Sequence, residues 1–123
     1  GIAFQLQDDY LDAFGDPRTF GKQVGGDIIE NKKTMLYLLA LEKSNAENKM
    51  VLESLFGTNP TNPSQKIEQV KTLFLATGAA DQIQHIISDY NQKALDRLDH
   101  FPIENKKKEI FKTFSKQLMQ RKL

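Results

Sequence analysis

The stretch Phe4-Gln5-Leu6-Gln7-Asp8-Asp9-Tyr10-Leu11-Asp12-Ala13-Phe14-Gly15-Asp16 sets three clustered carboxylates into an otherwise apolar segment. Ile2, Phe4, Leu6, Tyr10, Leu11 and Phe14 recur at mostly helical spacing, and Gly15-Asp16-Pro17 ends the pattern, so residues 1 to 14 are expected to form a buried helix. On that helix Asp8 and Asp12 lie one above the other, with Asp9 about 100° round the axis. Like charges at this spacing destabilise a helix by roughly a few tenths of a kcal/mol, and by more where water is scarce, so a cation should neutralise them. The donors are carboxylate oxygens with no His or Cys nearby, which favours a hard ion, Mg²⁺ above all. Such an ion keeps several waters and is usually completed by substrate phosphates.

The following segment carries the complementary charges. Gly21-Lys22, Gly25-Gly26-Asp27 and Asn31-Lys32-Lys33-Thr34 bring lysines and flexible backbone to the C-terminal end of the aspartate helix; with four glycines and one proline, residues 15 to 31 are expected to be a loop. Lysines beside a metal-binding carboxylate cluster suit a diphosphate. The metal bridges its oxygens while ammonium groups neutralise the remaining charge.

The rest of the chain reads as helix. Thr34 to Leu41 is dense enough in apolar residues for an interior helix. Ser44 or Asn45 caps a second piece through Met50, Val51, Leu52, Leu55 and Phe56, ended by Gly57. Thr58-Asn59-Pro60-Thr61-Asn62-Pro63 is a loop, and Ser64 is placed to cap a helix over about residues 65 to 77. Gly78 breaks or bends the chain before a long helix that stops near His100-Phe101-Pro102. The last helix runs over about residues 106 to 121, with Ile110, Phe111, Phe114, Leu118 and Met119 on one face. No alternating stretch suits a strand of useful length, so the predicted class is all-α.

The bulk properties narrow the function. A chain of 123 residues suits one domain with a real core. Its 17 basic and 16 acidic residues nearly cancel, so no global field draws it to nucleic acid or an anionic membrane surface. The absence of cysteine excludes thiolate chemistry and cysteine-ligated zinc, and suits a reducing cytosol. No apolar run approaches the ~20 residues of a membrane span. A calcium EF-hand fails too, because its sixth position, counted from Asp8, is Ala13 instead of Gly.

The Phe4-Gln5 pair, Asp8-Asp9-x-x-Asp12, Gly21-Lys22, and Asp27 with Lys32 five residues on occur in the order found in one family. Over residues 1 to 43 the chain resembles the second aspartate-rich region of the trans-isoprenyl diphosphate synthases, which include farnesyl and geranylgeranyl diphosphate synthases. The resemblance implies the C-terminal part of an all-α isoprenoid-synthase bundle that depends on Mg²⁺. Its substrates would be an allylic diphosphate and isopentenyl diphosphate. It implies Asp8 as the direct metal ligand and Asp9 and Asp12 acting through metal-bound water or hydrogen bonds. Asp27 would stand behind the metal cluster, and Lys22 and Lys32 on the allylic diphosphate. Phe4 and Gln5 would face the reacting carbons, with the Gln5 amide oxygen stabilising cationic charge. Family members are commonly homodimers, and a cytoplasmic enzyme is expected.

The family's first aspartate-rich motif and its upstream basic residues have no counterpart here, so the expectation is a C-terminal fragment, residues 1–123, that does not catalyse condensation alone. A terpene cyclase or squalene-type synthase of the same fold is the runner-up, and a regulatory subunit of a heteromeric synthase is a third reading. Lys33 and Lys106-Lys107-Lys108 are expected to be solvated, and His85 and His100 to be surface or packing residues. Arg121 and Lys122 would reach the isopentenyl diphosphate only if the tail folds back; a frayed tail is the simpler expectation.

Overall fold

A single long helix is the element that most of the others share. The computed structural model describes residues 1–16, 24–100 and 104–119. Its helices are α1 (Ile2–Phe14), α2 (Gly26–Ile29), α3 (Met35–Lys43), α4 (Ala46–Leu55), α5 (Ser64–Ala76), α6 (Ala79–Asp99) and α7 (Asn105–Met119). No strand occurs among the described residues. With 21 residues α6 is about 30 Å long, and it packs against α1, α3, α5 and α7.

The core collects around the first half of α6. Ala79, Ile83 and Ile87 recur every four residues, so they line one face, and all three are buried. Against them stand Leu36 and Ala40 of α3, Leu52 of α4, and Val70 and Phe74 of α5. Each fully buried side chain of the size of Val70, Leu52 or Ile83 stabilises the fold by about 1.5–3 kcal/mol relative to exposure. Beyond Ile87 no residue of α6 is buried, and α7 has no buried residue among those described. The bundle is therefore dense at one end and open at the other.

Local chemistry sets the boundaries. The Asn45 side chain accepts the Asn48 N–H at 2.8 Å, the N-cap of α4. Gly78, at φ +87, occupies the left-handed region that lets α5 turn into α6. Ser64 departs from its predicted role: it is the first helical residue of α5, and its N–H is taken by the Asn62 carboxamide at 3.1 Å. Residues 15–31 are likewise not all loop, because Gly26–Ile29 form a helical turn. The predicted end of α7 at residue 121 lies outside the described residues.

Candidate functional site

From Leu6 onward one face of α1 is anchored. Leu6, Leu11 and Ala13 are buried, and Phe14 stacks against Tyr10 at 5.1 Å and Phe74 of α5 at 6.5 Å between ring centroids. The first turn departs from the expected buried helix. Ile2 and Phe4 are 60% and 51% exposed. They line an open groove of about 680 Å³ with Asp8, Tyr90, Arg97 and Phe114, bounded by α1, the second half of α6 and α7.

The carboxylates differ in their surroundings. Asp8 lines the groove and is partly buried. Asp9 accepts a hydrogen bond from Gln5 Nε2 at 3.3 Å, so the Gln5 amide nitrogen points at the carboxylate cluster. Burial raises the Asp9 carboxyl above the usual range, and the like charges of Asp27 and Asp8 push the same way, while the Gln5 hydrogen bond and Lys32 oppose it. Asp8, Asp9, Asp27 and Lys32 thus share one electrostatic neighbourhood.

Asp12 holds the next element. Its Oδ2 accepts the backbone N–H of Asp27 at 2.8 Å, and its carbonyl accepts the Gly25 N–H at 2.5 Å. Gly25 is the N-cap of α2 and has no side chain to satisfy the first-turn donors, so the Asp12 carboxylate supplies the missing acceptor. Gly25 is also the one residue type that fits. Its φ is +92, and a Cβ there would lie 2.8 Å from Ile67 Cδ1.

The five-residue spacing from Asp27 to Lys32 has a backbone origin. The Lys32 N–H bonds to the Asp27 carbonyl at 2.8 Å and the Asn31 N–H to the Ile28 carbonyl at 3.1 Å, with Asn31 at φ +58. These are the paired bonds of a Schellman closure with a left-handed residue at its turn. The closure folds Lys32 back over its own helix. Its Nζ comes within 3.9 Å of Asp27 Oδ1, while 58% of the Lys32 side chain faces solvent.

The structure thus brings Gln5, Asp8, Asp9, Asp12, Asp27 and Lys32 to one region, and sets Phe4 along the groove. Lys22, Arg121 and Lys122 lie outside the described residues. Lys33 is exposed; His85 and His100 are exposed as well, the former 3.6 Å from Asp81 and the latter bonded to the Asp96 carbonyl at 2.7 Å. Among the described residues no three Asp, Glu or His side chains converge closely enough to hold a cation alone. The sequence reading missed Asn31 as the turn residue and Lys66, which grips it. The signals were an Asn just before the Lys of the Asp27–Lys32 pair, and a lysine in register with Val70 and Phe74 on the buried face of α5.

Comparison with known proteins places this geometry. The polyprenyl synthetase family model matches residues 1–75. The chain belongs to the polyprenyl synthetase family. It is 32% identical over 99 residues to the short chain isoprenyl diphosphate synthase of Methanothermobacter thermautotrophicus, which covers 80% of this chain and 30% of that protein. It is 40% identical over 99 residues to farnesyl pyrophosphate synthase 2 of Lupinus albus, covering 80% and 26%. A crystal structure of a geranylgeranyl pyrophosphate synthase superimposes with a TM-score of 0.90 at 46% identity, over 100% of this chain and 38% of that one. A second, from Corynebacterium glutamicum and complexed with isoprenyl diphosphate and magnesium, gives 0.87 at 33% identity over 98% and 34%. The fold is that of a polyprenyl synthetase helical bundle. The chain spans between 26% and 38% of the lengths of these relatives.

Proposed function

We propose that this chain is the C-terminal part of a longer trans-prenyltransferase and supplies its metal–diphosphate wall. The enzyme condenses an allylic diphosphate with isopentenyl diphosphate. The observation that carries this reading is the meeting of Asp8 and Asp9 on α1 with the Asp27–Lys32 pair beside an apolar groove, in a member of the polyprenyl synthetase family.

The donor set fits Mg²⁺. It consists of carboxylate oxygens, and Asp9 is held toward its protonated form by burial and by neighbouring like charges, a stress that a divalent cation relieves. When bound, Mg²⁺ neutralises the allylic diphosphate and so helps it to leave. Asp8 and Asp9 provide the carboxylate face for the ion, while Asp12 and Asp27 fix the position of α2 relative to α1. Lys32, with Lys22, offers ammonium charge to diphosphate oxygens. Phe4 lies along the wall where the prenyl chain would run, and Gln5, which is not part of that wall, steadies Asp9 through its amide nitrogen. In the reaction the allylic C–O bond breaks, the isopentenyl double bond attacks the allylic carbon, and a proton leaves the new carbon skeleton. The full enzyme is a cytoplasmic homodimer in this reading; no described helix is long and apolar enough to cross a membrane.

The test is incorporation of labelled isopentenyl diphosphate into an allylic diphosphate by the full-length protein, with and without Mg²⁺. Magnesium-dependent incorporation is expected. Conversion of the allylic diphosphate alone, with isopentenyl diphosphate left untouched, would replace this reading with a cyclase or squalene-type chemistry.

A further inference from the structure

Lys66 on α5 is the one buried charged side chain among the described residues, 4% exposed. Burying an ammonium group is costly unless its donors are used, and the cost shows in a Lys66 pKa that burial holds below the ordinary lysine value. Its partners are oxygens of the carbonyl type and a ring face. Nζ donates to the Asn31 carboxamide oxygen and, at 2.7 Å, to the Thr58 carbonyl, and it lies 6.0 Å from the centre of the Phe56 ring. An apolar side chain could fill the same space beside Phe56. What it could not supply is the grip on Asn31.

Asn31 is the only non-glycine at positive φ among the described residues. Its amide is held at both ends. The oxygen faces Lys66, which can only donate, and the nitrogen donates to Asn59 Oδ1 at 3.0 Å and to the Thr58 carbonyl at 3.3 Å. That left-handed turn is what directs the next residue, Lys32, back toward Asp27.

We propose that Lys66 is a positioning residue for the diphosphate site. By holding the Asn31 amide it keeps the turn closed and so sets where the Lys32 ammonium meets the ligand. The effect of Lys66 on the ligand rests on the diphosphate reading of Lys32; the grip on the turn does not.

The test compares Lys66→Met, Asn31→Gly, the double variant and Lys32→Ala in the full-length protein, using hydrogen exchange of the Lys32 amide and steady-state kinetics. Lys66→Met should speed exchange of that amide by about tenfold and raise KM for the allylic diphosphate by a similar factor, leaving kcat within about twofold. Amides in the core turns of α1 and α6 should exchange as before, which a general loss of stability would not allow. Glycine accepts the left-handed turn without the amide, so in the Asn31→Gly background Lys66→Met should add nothing further. Unchanged exchange at Lys32 in folded Lys66→Met, or a full additive effect in the double variant, overturns the proposal. So does a raised KM in Lys32→Ala with none in Lys66→Met. Faster exchange in Lys66→Met with KM unmoved in both that variant and Lys32→Ala upholds the grip on the turn, and overturns the diphosphate role of Lys32 instead.

Discussion

Asp12 and Asp27, fifteen residues apart, are joined by a 2.8 Å hydrogen bond from the backbone N–H of Asp27 to Asp12 Oδ2. One acid of the aspartate triplet is therefore spent on architecture. Asp12→Ala removes a cap acceptor and should lower stability by about 1–2 kcal/mol in denaturant unfolding. Asp12→Asn keeps an acceptor oxygen and should retain most of that stability. A loss of turnover common to both variants then belongs to the charge; a loss confined to the alanine variant belongs to the cap.

Asp8 lines the groove, and its charge adds to the burial that raises the Asp9 carboxyl above its ordinary value. Asp8→Ala in the full-length protein should cut turnover on the order of 100-fold, as loss of a metal contact worth roughly 3 kcal/mol in the transition state. Removing that like charge should also bring the Asp9 titration, followed by carboxyl NMR, to lower pH. Unchanged turnover in Asp8→Ala removes it from the metal ligands.

Gly25 faces two separable penalties on substitution: its φ of +92, and the 2.8 Å that would separate an added Cβ from Ile67 Cδ1. Gly25→Ala should cost about 1–2 kcal/mol from backbone conformation alone, with the clash adding to it. Ile67→Val removes Cδ1 but keeps the γ carbons that would lie 3.0 and 3.1 Å from the added Cβ, so the double variant should recover only the part of the steric cost that Cδ1 causes and leave the backbone part. Calorimetry of the two single variants and the double variant separates the terms.

The link between α6 and α7 should depend on pH. Lys112 Nζ meets Asp99 Oδ1 at 2.8 Å, and Lys108 donates to the Asp99 carbonyl at 2.9 Å. The Lys112 hydrogen bond holds the Asp99 carboxyl below its ordinary value of 3.8, so its contribution is present above that pH and is lost as pH falls through the lowered value. The Lys112 ammonium is raised above 10.5 by the same bond, so its contribution is present below that pH and is lost as pH rises through the raised value. Hydrogen-exchange protection of the α7 amides should be greatest between these limits and fall at both ends. Asp99→Asn should flatten the profile.

Phe111 and Phe114 of α7, 47% and 59% exposed, line the groove with Phe4 and Ile2, and Ile110 of the same helix is 63% exposed. Contiguous apolar surface of this kind drives association. The 123-residue chain alone should sediment as oligomers at micromolar concentration, and Phe111→Ser with Phe114→Ser should shift it toward monomer. A well-folded monomer of the unsubstituted chain contradicts this.

The residues differ in how legible they are. Helical spacing and Gly/Pro punctuation locate the main helices, because burial periodicity and backbone restriction act locally. Phe4 reads as interior because an apolar residue on an apolar helix usually is, yet its covering surface is not made by the described residues. Ser64 reads as a cap because its type fits; it is instead the first helical residue, and Asn62, two residues earlier, accepts its N–H. Asp12 reads as one of three equivalent acids; its bond to Asp27 needs the chain to return across residues 13 to 26, which no local pattern records. The helical turn at Gly26–Ile29 hides behind two glycines, since its cap comes from another element.

The Schellman closure at Asn31 also bears on engineering. Grafting this turn onto another helical scaffold means moving two pieces of chain that are distant in sequence: residues 25–34, and the α5 segment that carries Lys66. A transplant of the first piece alone would bring the recognisable motif without the bracket that holds its turn. Inserting one residue between Asp27 and Lys32 would take the Lys32 N–H out of register with the Asp27 carbonyl. The spacing is a mechanical tolerance, and a designer should treat it as fixed.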